Sequence, residues 1–133
     1  MYGLILAQSW FLPFKDVAPL ILQGLWITVE VIVVGFFFGF ILGAIAGLGR
    51  LSNNKIIYGI STVYVEAIRG TPILIQILFV YYGLAALLDV NFSAMTAAFI
   101  SLAFNSGAYI AEIVRGAVYS IEKGQTEAGR SIG

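Results

Sequence analysis

Residues 31–48 read VIVVGFFFGFILGAIAGL. Eighteen residues pass without a charge, and the apolar character runs back to Pro19 with Glu30 as the only charge. About 20 apolar residues cross the hydrocarbon core of a bilayer. The stretch is long enough to cross and to tilt or project, so it predicts a membrane-spanning helix over about 20–48. Its glycines fall in register. Gly35, Gly39, Gly43 and Gly47 are four apart, which lays them along one face of a helix as a flat stripe. Such a stripe lets a second backbone come close. The functional reading is a tight helix–helix seam; the plain one is the general abundance of glycine in membrane helices.

The rest of the chain agrees with a membrane protein. Of 133 residues, 60% are hydrophobic and 11% charged; soluble domains carry about 25% charged residues. Seven basic and seven acidic residues cancel, so no net field draws nucleic acid. There is no cysteine and no histidine, which removes disulfides, thiolate metal sites, His catalysis and most zinc sites. No catalytic or metal constellation is visible. The segment 1–14 lacks a basic start and a small-residue cleavage site. Trp10, Phe11 and Phe14 suit a headgroup boundary, and a frayed terminus fits equally well.

Two further spans are expected. Residues 72–88 form an apolar run, opened by Thr71 as a possible N-cap and Pro72 in the first turn. Upstream, 56–69 has the period of an amphipathic helix at the interface, with a break at Gly70–Pro72; one long kinked helix is the alternative. The third span covers 93–115 and is dotted with Ser, Thr and Asn. The turn between them is Asp89–Asn91. Arg50, Lys55, Arg115, Lys123 and Arg130 gather on one side, and only Lys15 lies opposite. The positive-inside rule then puts the N-terminus outside and the 49–56 loop inside.

Polar residues at membrane depth are the candidates for function, because facing lipid is costly for them. Ala97, Ser101, Asn105, Ala108 and Glu112 share one side of the third span. Gln76, Asn105 and Ser106 are candidate pathway contacts, or else interhelical hydrogen-bonding groups. EAIRG at 66–70 and EIVRG at 112–116 each set Glu three residues before Arg. Glu66 can therefore meet Arg69, and Glu112 can meet Arg115, as anchors at the inner surface.

Two longer stretches carry a resemblance. EAIRGTPILIQILFVYYGL (66–84) and GAYIAEIVRGAVYSIEKGQTEAGRSIG (107–133) resemble the membrane-spanning permease of binding-protein-dependent ABC importers, in its polar amino acid group (histidine, glutamate, glutamine, arginine, opines). Residues 24–52 are similar to that group's first core helix. The resemblance implies an all-α membrane protein: the N-terminal three-span part of a core of five or six helices, ending in a cytoplasmic coupling helix at about 119–133. In that helix Glu127, Ala128, Gly129 and Gly133 match the motif that docks on the ATPase, with Gly129 standing where the family has alanine. The implied partners are a cytoplasmic ATPase subunit that binds ATP and magnesium, an extracytoplasmic amino-acid-binding protein, a second permease subunit and the lipid bilayer. No cofactor is implied for this chain itself. The implied location is the inner membrane of a bacterium or archaeon. Family members continue for about two more spans, so a truncated chain is expected. A small structural or regulatory membrane protein, packed through its glycine stripe, is the second reading. An ion channel has no support: there is no acidic ring motif and no TVGYG-like loop.

Overall fold

In the computed structural model, which describes residues 14–120 and 129–131, the described residues are helical or in short turns, with no strand among them. Helix α1 is Phe14–Gly49, 36 residues long and about 54 Å by the helical rise. It is followed by α2, Lys55–Arg69, and by α3, Ile73–Leu78. A π-helical segment, Phe79–Leu84, leads into α4, Ala85–Leu88. The last long helix, α5, is Ala94–Tyr119. Glu127, Ala128 and Gly133 lie outside the described residues. Gly129 is in a helical stretch at 129–131 and is exposed.

Two helices, Val17–Gly49 and Ala94–Tyr119, are long and apolar enough to cross a membrane. The third candidate is a bent pair. Lys55–Arg69 and Ile73–Leu88 meet at 106° across the break. The break lies at Gly70–Pro72, and a single kinked helix does not describe it. The cap differs from the sequence expectation. Pro72, not Thr71, holds the N-cap position of α3, and it has no side-chain cap bond. The Thr71 hydroxyl instead donates back to the Ala67 carbonyl at 2.8 Å. The last carbonyls of a helix have no intrahelical donor, and a nearby threonine can supply one.

The ends of the other helices follow local chemistry. Asn54 caps α2 by accepting from the Ile56 and Ile57 amides. Ser93 caps α5 by accepting from the Thr96 amide at 3.0 Å. At the close of α4, Asp89 takes a left-handed conformation, φ 54°, which aspartate tolerates better than most side chains. This turns the chain from the third crossing candidate into α5.

Packing is dominated by one pair. Along the glycine stripe of α1, the facing residues of α5 come so near that an added Cβ would collide. At Gly43 it would lie 2.6 Å from Ile110 Cβ and 2.7 Å from the Gly107 carbonyl. At Gly47 it would lie 2.7 Å from Val114 Cβ, and at Gly35 2.9 Å from Leu102 Cδ2. Gly39 faces Ser106 and the Ala103 carbonyl. Lipid tails are as apolar as leucine, so membrane helices hold together through close packing and not through hydrophobic burial. Ala46, Val65 and Ala111 form the small core where α1, α2 and α5 meet, with Tyr64 against it. The Tyr64 hydroxyl donates to the Phe104 carbonyl at 2.8 Å. Leu20, Trp26, Phe36, Phe37 and Phe40 are exposed, as expected of a helix whose solvent is lipid.

Candidate functional site

Three helix ends converge on one carboxylate. Arg50 follows α1, Arg69 ends α2, and Glu112 and Arg115 lie in the last turns of α5. Arg50 Nη1 is 2.5 Å from Glu112 Oε2, and Arg69 Nη1 is 3.4 Å from the same oxygen. Arg115 donates through Nε and Nη2 to Oε1, at 3.2 and 2.5 Å. The two carboxylate oxygens thus serve three guanidinium groups. Arg69 also lies over the Tyr109 ring at 5.4 Å, and Arg115 over Tyr119 at 5.7 Å. Arg50 is 8% exposed, and its Nε is buried with no partner among the described residues.

This geometry corrects the expectation of two separate pairs. Glu112 does meet Arg115 at i, i+3. Arg69, however, turns to Glu112 across the helix interface, and among the described residues Glu66 joins no ion pair and is exposed. The physical reason is electrostatic. Glu112 keeps only 27% of its side-chain surface exposed, so its charge is less screened by solvent than that of an exposed carboxylate on the same helix as Arg69, where an ion pair gains only a few tenths of a kcal/mol. Arg50 entered the sequence reading only as an orientation marker. Its position at the end of span one, at the depth of Glu112, was the one available sign that it could join the cluster.

A second polar feature sits at the break. Gln76 on α3 is buried. Its Nε2 donates to the Ile68 and Thr71 carbonyls, both at 2.8 Å. Its Oε1 accepts from Asn105 Nδ2 at 3.5 Å. Gln76 therefore satisfies the open end of α2 and reaches α5. Replacing it with leucine strands the Thr71 carbonyl, whereas the Ile68 carbonyl keeps the Thr71 amide at 3.3 Å, and a buried unpaired group costs ~1–3 kcal/mol. We expect Gln76→Leu to lower stability by about that amount, read by thermal unfolding in detergent. Asn105→Ala, which removes one long bond, should cost much less.

Gln76 also lines a cleft of about 450 Å³ between the end of α2, α3, the π-helical segment and α5. Ile68, Thr71, Phe79, Val80, Ser101 and Phe104 share the lining. Ser101 is fully buried and its hydroxyl has no partner among the described residues. π-helical segments often occur at functional sites; this one supplies Phe79, Val80 and Leu84 to the wall. The three sequence-named pathway candidates do not converge here. Gln76 is on the wall. Asn105 touches Gln76 but is not part of the lining. The Ser106 hydroxyl faces the glycine seam, 2.5 Å from the Leu102 carbonyl and 3.3 Å from that of Gly35. Gly107, which sequence reasoning passed over, belongs to the same seam: an added Cβ there would lie 3.1 Å from Leu42 Cβ.

Comparison with known proteins gives this arrangement a setting. Residues 35–133 match the family described as binding-protein-dependent transport system inner membrane component. The chain belongs to that family. It is similar to the glutamine transport system permease protein GlnP of Escherichia coli K12, with 43% identity over 116 residues, covering 86% of this chain and 53% of that protein. It is similar to the L-cystine transport system permease protein TcyB of Bacillus subtilis, with 37% identity over 127 residues, covering 96% of this chain and 54% of that protein. The chain thus spans about half the length of these relatives. A crystal structure of an amino acid ABC transporter with histidines overlaps it with a TM-score of 0.85 at 37% identity, covering 92% of this chain and 57% of that one. In this permease family member, the all-α membrane fold implied by the sequence stands. The second reading, a small packing or regulatory protein, gains nothing from these relatives, which are transport permeases.

Proposed function

We propose that this chain acts within the permease subunit of an ATP-driven importer of polar amino acids. The observation that carries the reading is the structural overlap with an amino acid ABC transporter along 92% of the chain. Two such subunits, identical or paralogous, would enclose the pathway and expose it to each side in turn. A separate cytoplasmic ATPase would bind and hydrolyse ATP with magnesium, and an extracytoplasmic binding protein would deliver the substrate. The N-terminus lies outside in this reading, and the Arg50, Arg69 and Arg115 ends lie inside, following the basic loops. Glu127, Ala128, Gly129 and Gly133 dock on the ATPase. Of the pathway candidates, Gln76 has the strongest support, because it lines the cleft. Asn105 and Ser106 act by holding helices together.

The Glu112 cluster supports a route for the stroke. Glu112 lies seven residues before Tyr119, about two helical turns, and the docking segment follows Tyr119. Displacement of that segment reaches the ends of α1 and α2 through one carboxylate. In the assembled transporter, Glu127→Lys combined with Ala128→Asp should abolish the rise in ATPase rate caused by loaded binding protein while leaving the unstimulated rate in place. Stimulation equal to that of the unaltered transporter would overturn the docking assignment.

A further inference from the structure

We propose that the arginine cluster around Glu112 is a binding site for the phosphate of an anionic lipid headgroup in the inner leaflet; the leaflet follows from the orientation proposed above. Three guanidinium groups share one carboxylate, so the cluster has a surplus of two positive charges. Each guanidinium carries five N–H donors in a fixed fork. Arg69 uses one nitrogen on Glu112 and Arg115 two, so both have donors left over. Both are also well exposed, at 41% and 36%. Beneath them Arg50 is 92% buried, taking its 8% exposure from the whole, and its Nε is unpaired among the described residues. Glu112 alone therefore does not satisfy the cluster.

The surroundings favour a lipid over a free ion. Tyr109 and Tyr119 are exposed beside the two outer arginines, and Ile113, one helical turn from Tyr109, is exposed as well. Tyrosine at this depth is the side chain of the membrane interface, and an isoleucine there offers an apolar surface to the start of an acyl chain. Arginine matches phosphate with paired N–H donors. The cytoplasmic leaflet carries anionic lipids that draw basic side chains to its surface. Glu66, the nearest acidic residue in sequence to Arg69, is exposed and takes no part in the cluster, so it leaves the surplus in place.

The test uses the purified chain in a neutral detergent, with phosphatidylglycerol or phosphatidylcholine added and bound lipid counted by native mass spectrometry. We expect phosphatidylglycerol to bind in preference to phosphatidylcholine. Arg69→Gln with Arg115→Gln should weaken it roughly 10- to 30-fold, as loss of two basic contacts with a lipid surface implies. Glu112→Gln, which removes the internal competitor, should strengthen it. Opposite signs in the two variants separate a site from a general loss of fold. Equal binding of the two lipids to the unaltered chain would overturn the proposal, and so would unchanged phosphatidylglycerol binding in the arginine variant. Displacement of phosphatidylglycerol by millimolar inorganic phosphate would overturn the lipid assignment in favour of a free anion. The measurement involves neither ATPase nor transport, so its failure leaves the transport reading standing.

Discussion

Gly43→Leu should prevent α1 and α5 from packing, while Gly116→Leu should be tolerated. The two glycines sit in the same pair of helices but meet different surroundings. At Gly43 even a single added carbon would lie 2.6 Å from Ile110 Cβ and 2.7 Å from the Gly107 carbonyl. One of those neighbours is backbone and the other is the branch point of a side chain, so neither can rotate away. The helices must separate, and the contacts at Gly39 and Gly47 loosen with them. Overpacking of a well-fitted interior costs ~1–3 kcal/mol and sometimes more, and this site belongs at the upper end. Gly116 has nothing within 4 Å of an added Cβ. There, alanine should stabilise α5 by up to ~1 kcal/mol, because glycine is a poor helix former. Thermal unfolding in detergent reads both. The pair of alanine variants is the sharper comparison, since Gly43→Ala and Gly116→Ala should move stability in opposite directions.

The second large effect is expected at Glu112. Glu112→Gln removes the one negative charge among three guanidinium groups. Breaking a fully buried pair by removing one partner costs ~3–5 kcal/mol. Glu112 keeps 27% of its side-chain surface exposed, so water compensates in part and we expect ~1–3 kcal/mol. Most of that loss belongs to Arg50, which is the most buried of the three arginines and has no other side-chain partner among the described residues. A double-mutant cycle between Arg50→Gln and Glu112→Gln should therefore show strong coupling, about 1–3 kcal/mol. Glu66→Gln is the control, since Glu66 is exposed and outside the cluster; its effect should stay within about 0.5 kcal/mol. A Glu66 effect as large as that of Glu112 would restore the picture of two independent anchors.

These two sites also mark what could be read from the sequence. The glycine stripe was legible because its spacing is a local property of one helix. Its partner was not. Glycine has no side chain with which to specify a complement, so nothing in Gly35–Gly47 names Leu102, Ser106, Ile110 and Val114 as the facing row. The break at Gly70–Pro72 was legible from its residues, but the 106° bend was not. Across that bend Gln76 reaches back to the Ile68 and Thr71 carbonyls, and a glutamine in an apolar run does not announce its acceptors. The π-helical segment in FVYYGL had no sequence signal beyond Gly83, whose added Cβ would lie 3.0 Å from the Phe79 ring. At the arginine cluster, spacing within one helix correctly paired Glu112 with Arg115. The same rule misled for Glu66 and Arg69, because Glu112, on another helix, places its carboxylate within reach of Arg69. Local spacing finds which residues can meet on one helix. It is silent when another helix offers a better partner.

The central claim is that these helices belong to a pathway driven by a partner's ATP hydrolysis. The most direct measurement is uptake of radiolabelled glutamine, arginine, histidine and cystine into sealed vesicles. The vesicles would hold the assembled permease with its ATPase, supplied with the binding protein outside and ATP inside. The account predicts uptake of at least one of these amino acids that stops without ATP and stops again with the Glu127→Lys, Ala128→Asp permease. Accumulation that proceeds equally without ATP, or none at all while the ATPase still turns over in response to loaded binding protein, would contradict it.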